Sequence, residues 1–362
     1  MTTFRRPLLK RRRLLKWLGG TALGGIGLNT GKNSWLSAGP GWKGPVTDHF
    51  DGRRFLNPWL KESSSFGRFL KWKMTRKAEE WPTSAGGMVE PRLLAKLDSH
   101  EMTATFIGHA TWLLQFCGLN VLTDPVFSDR CSPVTWAGPR RVRPPGIAWE
   151  DLPEIHMVVV SHNHYDHLDL PTLLRLRDRF DPLIVTGLGN KAFLKTHDLT
   201  HCEELDWWGT ISPRDGLQVT FTPAQHWSNR GGDGRNATLW GGFHLKTPGG
   251  PCAYFVGDSG YGPCFAEIGQ RLPAPDLALV PIGAYEPRWF MSIMHMNPEE
   301  AVKVFRDLNA KRMLGMHFGT WQLTDEGIDR PIDALHAARL AANLTEDIIR
   351  APAVGETMRF PA

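Results

Sequence analysis

The chain has 362 residues, 41% of them hydrophobic, which allows one large domain or two ordinary ones with a real core and excludes wholesale disorder. Its formal charge of +5 is uneven: residues 1–30 hold seven bases (Arg5, Arg6, Lys10, Arg11, Arg12, Arg13, Lys16) and no acid, while the remainder carries 35 bases against 37 acids. The basic charge therefore belongs to the N-terminus and gives no argument for a nucleic-acid-binding body, and no nucleic-acid partner is expected.

Arg11 to Lys16 is followed by a glycine-rich, weakly apolar run from Trp17 to Leu28. The order resembles a twin-arginine export signal and predicts a periplasmic or membrane-associated protein. An uncleaved anchor, a mitochondrial presequence and a plain basic tail are the alternatives. The apolar run is too short to span a bilayer comfortably. Residues 31–100 form a Trp-rich extension holding five of the fifteen tryptophans (Trp35, Trp42, Trp59, Trp72, Trp81). One helix is expected there, Ser64 to Glu80, because Phe66, Phe69, Leu70 and Met74 recur at helical spacing among Arg68, Lys71, Lys73, Arg76 and Lys77. Such a segment either lies on an anionic membrane surface or packs on the body.

Residues 101–362 read as the catalytic domain. Thr103 to Ile107, Thr111 to Phe116 and Asn120 to Leu122 are short β-rich runs separated by glycine turns, as in an antiparallel meander. Met157 to Val160, Leu217 to Phe221, Ala253 to Val256, Leu277 to Val280 and Met313 to Met316 are apolar runs suited to buried strands. Helices are expected over Leu170 to Arg179 and Pro298 to Leu308, the second with Pro298 at its first position. Alternating strands and helices around two sheets predict an α/β fold, an αβ/βα sandwich of two mixed sheets flanked by helices. The five cysteines form no C-x-x-C pair and read as small buried hydrophobes.

Directly after the run ending at Val160 stand His162, His164, Asp166 and His167. A turn at a strand end can aim all four into one cleft, and imidazole with carboxylate is a donor set for zinc, with iron or manganese accepting the same atoms. His226, Asp258 and His317 follow three later strand ends, which makes seven candidate ligands and suits two metals with one bridging carboxylate. His49, His100, His156, His197, His201, His244 and His336 lack that setting and read as surface or satisfied core residues. His109, between Gly108 and Ala110, reads as a buried hydrogen-bonding support for the site. Asp124 is expected to accept a hydrogen bond from a ligand imidazole.

Gly108-His109-Ala110-Thr111, Leu122-Thr123-Asp124-Pro125, the long run from Ser161 to Asp169, Gln225-His226-Trp227, Gly257-Asp258-Ser259 and Ala284 to Phe290 together resemble the metallo-β-lactamase superfamily. Within it the chain is similar to the N-acyl-phosphatidylethanolamine-hydrolysing phospholipase D family, chiefly through Ala284 to Phe290. The resemblance implies His162, His164 and His226 on one zinc ion and Asp166, His167 and His317 on the other. Asp258 and a hydroxide would then bridge them, and Asp166 and His295 would serve catalysis. It also implies Tyr165, Tyr285, Glu286, Arg288 and His295 as substrate contacts, with Met294 where animal members carry glutamine. The expected partners are a membrane phospholipid, the membrane surface and a second copy of the chain as a homodimer. The expected reaction releases an N-acylethanolamine and phosphatidic acid. The alternatives are hydrolysis of a lactone, a β-lactam or a sugar-phosphate lactone on the same fold, and a non-catalytic envelope protein stabilised by its metals.

Overall fold

The computed structural model describes residues 39–60, 65–94, 101–214, 216–232 and 234–361. The expected export signal, Ser64 and His100 lie outside these residues. In chain order the strands are β1 (Glu101–Gly108), β2 (Thr111–Phe116), β3 (Leu119–Thr123), β4 (Met157–Val160), β5 (Leu183–Gly187), β6 (Cys202–Leu205) and β7 (Thr210–Arg214). There follow β8 (Leu217–Thr222), β9 (Gly242–Lys246), β10 (Cys252–Phe255), β11 (Leu277–Pro281), β12 (Met313–Met316), β13 (Ile349–Arg350) and β14 (Thr357–Pro361). The helices are α1 (Phe66–Thr75), α2 (Leu170–Phe180), α3 (Asn190–Lys195), α4 (Cys264–Arg271), α5 (Arg288–Met291), α6 (Pro298–Asp307) and α7 (Arg330–Ala341).

Among the described residues the strands form two seven-stranded sheets, ordered β14-β1-β2-β3-β4-β5-β6 and β13-β12-β11-β10-β9-β8-β7. Each is mixed. Pairing is antiparallel from β14 to β3 and parallel from β3 to β6, and the second sheet is parallel from β13 to β10 and antiparallel from there to β7. This is the expected sandwich. Strand β4 shows how an all-apolar run serves it: Met157 and Val159 join the core between the sheets, while Val158 and Val160 pack with Leu173 and Leu176 of α2. The two-residue period of a strand sends alternate side chains to opposite faces, so a strand buried on both faces must be apolar throughout.

Apart from helix α1, element ends differ from the expected ones by one or two residues, and several elements have no counterpart among the expected ones. Strand β6, Cys202-Glu203-Glu204-Leu205, carries two acids, and β7 contains Pro213; each lies at a sheet edge, where polar side chains and a missing donor are tolerated. Helix α1 stops at Thr75, short of the expected Glu80. Arg76 is extended (φ −55°, ψ 132°), its Nε donates to Asp325 Oδ1 at 2.6 Å, and Trp81 Nε1 donates to the Glu326 carbonyl at 2.9 Å. These distant anchors draw the chain off the helix axis. Cys117 is only half-buried, in the β2–β3 turn at φ 51°, whereas the other four cysteines are buried.

The extension lies along the body. Phe50 and Phe55 enter the main core, and His49, expected to be a satisfied residue, sits between Asp48 (2.5 Å) and Asp206 (2.7 Å).

Candidate metal centre

Four ligand-bearing turns leave the C-terminal ends of β4, β8, β10 and β12, so the sandwich delivers His162 to His167, His226, Asp258 and His317 to one edge. Close approach there needs glycine. Gly257 has φ 68°, and a Cβ on it would lie 2.7 Å from the Ser161 Cβ and 2.8 Å from the Gly241 carbonyl oxygen. Non-glycine residues also occupy the left-handed region at the site: His109 (φ 57°), Asp124 (φ 32°) and His317 (φ 63°). Such backbone persists where surrounding contacts over-determine it, and here the His317 amide donates to the His109 carbonyl at 2.7 Å.

Two donor clusters result. His162 Nε2 and His164 Nδ1 are 2.8 Å apart, and His226 Nε2 is 3.3 Å from the same His164 nitrogen. In the second cluster, His167 Nε2 and His317 Nε2 each lie 3.4 Å from Asp166 Oδ2 and 3.1 Å from Asp258 Oδ2. Asp258 Oδ2 faces the first cluster too, 3.9 Å from His226 Nε2, and is also 3.9 Å from His295 Nδ1. His109 Nε2 adds a further nitrogen, 3.1 Å from Asp166 Oδ2, within the second cluster.

The donor set fits divalent cations. Zinc–nitrogen bonds in a tetrahedron hold neighbouring nitrogens about 3.3 Å apart, close to the separations seen. Buried atoms without a hydrogen-bond partner include His167 Nε2, His317 Nε2, Asp258 Oδ1 and His295 Nδ1, which cluster at this edge. A buried polar atom left unpaired costs about 1–3 kcal/mol, and a cation binding there would offset that cost.

The charges agree. Burial, reinforced by neighbouring imidazoles, pushes His162 well below the usual histidine range and His164 down to about 3. His226 falls to about 4, chiefly through burial, so these three present neutral nitrogens. Burial raises the Asp166 and Asp258 carboxyls, but His167 and further imidazoles outweigh it and hold both well below their ordinary range.

Hydrogen bonds fix which nitrogen faces inward. His226 Nδ1 donates to the Met294 carbonyl (2.9 Å) and His167 Nδ1 donates to Asp124 Oδ2 (2.5 Å). Asp124 Oδ2 also accepts the Ser161 hydroxyl (2.6 Å), whose oxygen is 2.9 Å from His162 Nδ1. Anchoring the outer nitrogen aims the inner lone pair.

The expected substrate contacts are placed differently from one another. Tyr165 stacks under Arg230, with the guanidinium 4.5 Å from its ring centroid. The Tyr285 and Glu286 amides donate to Glu326. The Arg288 guanidinium donates to the His295 carbonyl (2.8 Å) and to Glu300 (2.7 Å), which also closes the capping box of α6 with Asn297. Arg288 thus holds the turn that presents His295. Met294 gives its carbonyl to His226 and its side chain to an aromatic cluster.

Sequence reasoning missed several supports. Asn57 Nδ2 donates to the His226 carbonyl (2.8 Å) and Trp59 Nε1 to Gln225 Oε1 (2.9 Å). Buried Arg230 grips the Asn163 and Leu168 carbonyls, and Trp227 packs 4.5 Å from the His164 ring. Only the adjacency of Gln225 and Trp227 to His226 could have signalled any of them.

Residues 119–318 match the family model described as a beta-lactamase superfamily domain. The chain is 41% identical to N-acyl-phosphatidylethanolamine-hydrolyzing phospholipase D 1 of Caenorhabditis elegans over 247 residues, 64% of this chain and 68% of the relative. It is 36% identical to the mitochondrial N-acyl-phosphatidylethanolamine-hydrolyzing phospholipase D of Saccharomyces cerevisiae, covering 62% of this chain and 50% of that one. Its fold is like that of an isothiocyanate hydrolase from Delia radicum gut bacteria, with a TM-score of 0.57 at 23% identity over 72% of this chain and 100% of the other.

Proposed function

We propose a phosphodiester substrate for this chain, which belongs to the metallo-β-lactamase superfamily and, within it, to the family of the N-acyl-phosphatidylethanolamine-hydrolysing phospholipases D. It is a metal-dependent hydrolase; the finer reading is a zinc phospholipase D that cleaves an N-acyl-phosphatidylethanolamine. Water adds to phosphorus, the bond from phosphorus to the ethanolamide oxygen breaks, and phosphatidic acid and an N-acylethanolamine leave.

When bound, two divalent cations supply positive charge for the diester and lower the pKa of a water toward about 7. The chain's own residues do the rest. Asp166 and Asp258 offset only part of the charge of two cations, which leaves the centre attractive to an anion. His295, with Nδ1 unpartnered and 3.9 Å from Asp258 Oδ2, is placed to hold a substrate oxygen and to stabilise the departing one by a hydrogen bond. Arg288, through the His295 carbonyl, keeps that turn in place. The observation that carries the reading is the pair of convergent donor clusters with His295 beside them, in a chain 41% identical to a relative named for this activity.

The test is a lipid panel incubated with the zinc-loaded protein in ¹⁸O-labelled water and read by mass spectrometry. Label in phosphatidic acid and release of N-acylethanolamine are expected. Intact N-acyl-phosphatidylethanolamine alongside hydrolysis of lactones or of other phosphodiesters would overturn the substrate. Elemental analysis of the native protein decides between zinc, iron and manganese.

A further inference from the structure

Glu326 lies beyond the His317 turn and is only 6% exposed. Among the described residues its carboxylate is met by a hydroxyl and backbone N–H groups, not by a cation. Oε1 accepts the Tyr285 amide (3.2 Å), and Oε2 accepts the Glu286 amide (3.1 Å) and the Thr324 hydroxyl (2.8 Å). A buried charge is costly unless its oxygens are satisfied, and here fixed donors satisfy both. The turn they come from is shaped for an anion. Ala284 has φ 60°, which curls the N–H groups after it toward one side. It also lies directly on a ligand-bearing turn, because a Cβ on Gly283 would collide with the His317 carbonyl oxygen.

Both amides lead to Arg288. Tyr285 gives its carbonyl to Arg288 Nη1 (3.4 Å), the nitrogen that also reaches the His295 carbonyl (2.8 Å). Glu286 accepts the Arg288 amide on its own Oε2 (3.1 Å). We propose that Glu326 is a positioning residue for His295: by seating the Tyr285 and Glu286 amides it fixes the start of α5, from which Arg288 holds the turn that presents the His295 ring. A positioning group must itself be held. The extension does this, since Trp81 Nε1 donates to the Glu326 carbonyl, Arg76 to the Thr324 carbonyl and Trp72 Nε1 to Asp325 Oδ2. The proposal rests on the role given to His295 above, and its first readout does not depend on hydrolysis.

Zinc-loaded full chains carrying Glu326→Ala or Glu326→Gln are compared with the parent by amide hydrogen exchange and by turnover of bis(p-nitrophenyl) phosphate. In the alanine variant exchange should quicken across residues 284–296, while residues 157–168 and the zinc content stay as in the parent. Its kcat should fall about tenfold or more with KM little changed. Glutamine keeps the volume and one acceptor, so its kcat and exchange should lie between the two; it also carries the comparison if the alanine variant does not fold. Combined with Arg288→Ala, the loss in kcat should not multiply, because both residues act through one turn. Three results would each overturn the proposal: unchanged exchange over 284–296 in the variants, losses that multiply in the double variant, or activity lost in step with zinc, which would place the effect at His317. A parent that cleaves no phosphodiester would sink the substrate reading instead, and the exchange pattern would then decide the placement by itself.

Discussion

The Asp124 carboxylate accepts the His167 Nδ1 proton at 2.5 Å, and through the Ser161 hydroxyl the same oxygen also reaches His162. One fully buried side chain therefore sets the ring orientation of a histidine in each donor cluster. Replacing Asp124→Ala should lower the affinity of both metal positions and activity about 10–100-fold. Competition with a chromophoric chelator measures it; loss confined to one metal would show that the Ser161 link to His162 carries no weight.

Among the described residues, Asp258 is the one carboxylate within 4 Å of histidines from both clusters. Asp258→Asn keeps the volume and removes the charge. Metal content and turnover should fall together, by more than the roughly 100-fold ceiling typical of an outer partner. Elemental analysis paired with kinetics checks it, and unchanged turnover would rule out a bridging position.

Metal-free protein, prepared by chelation, should be most stable near pH 6.5. Burial holds His109 and His164 at about 3 and His226 at about 4, below the ordinary 6.5. As pH falls from 6.5 toward 4 the unfolded chain takes up protons that the folded one refuses, so stability is lost. His317 has the opposite sign: burial lowers it, but Asp258 and Asp166 outweigh burial and raise it to about 9, so its contribution fades as pH rises from 6.5 to 9. Melting temperature against pH should thus peak, and bound metal should flatten the curve.

Arg288→Ala separates positioning from substrate contact. Because the guanidinium is engaged with the His295 carbonyl and Glu300, the variant should lose about tenfold in kcat with KM little changed. Thermal stability should drop by about 1 kcal/mol, since the Arg288–Glu300 pair is about a quarter exposed. A rise in KM alone would mean that the arginine touches lipid.

Asn57→Ala removes the extension's donor to the His226 carbonyl. A hydrogen bond worth about 1 kcal/mol corresponds to roughly fivefold weaker metal binding at the cluster of His162, His164 and His226. Isothermal titration of zinc into metal-free protein reads that change directly.

Much of the scaffold was legible because its signals are local. An apolar run such as Met157–Val160 suits a strand buried on both faces, and donors placed directly after it then fall at a strand end. The same logic located His226, Asp258 and His317. The edge strands β6 and β7 were not legible, because an edge relaxes the demand for apolar residues that makes a buried strand readable.

The sequence by itself determined the superfamily fold, the donor atoms available and the turns that carry them. Tertiary structure alone decided that Asp124 serves both clusters, that Arg288 is spent on His295 and Glu300, that Asn57 reaches a residue 169 positions away, and that α1 turns one apolar face inward and leaves another bare. Those relationships join residues brought together by sheet packing. Local periodicity records which face of an element is apolar, but not which distant partner will cover it.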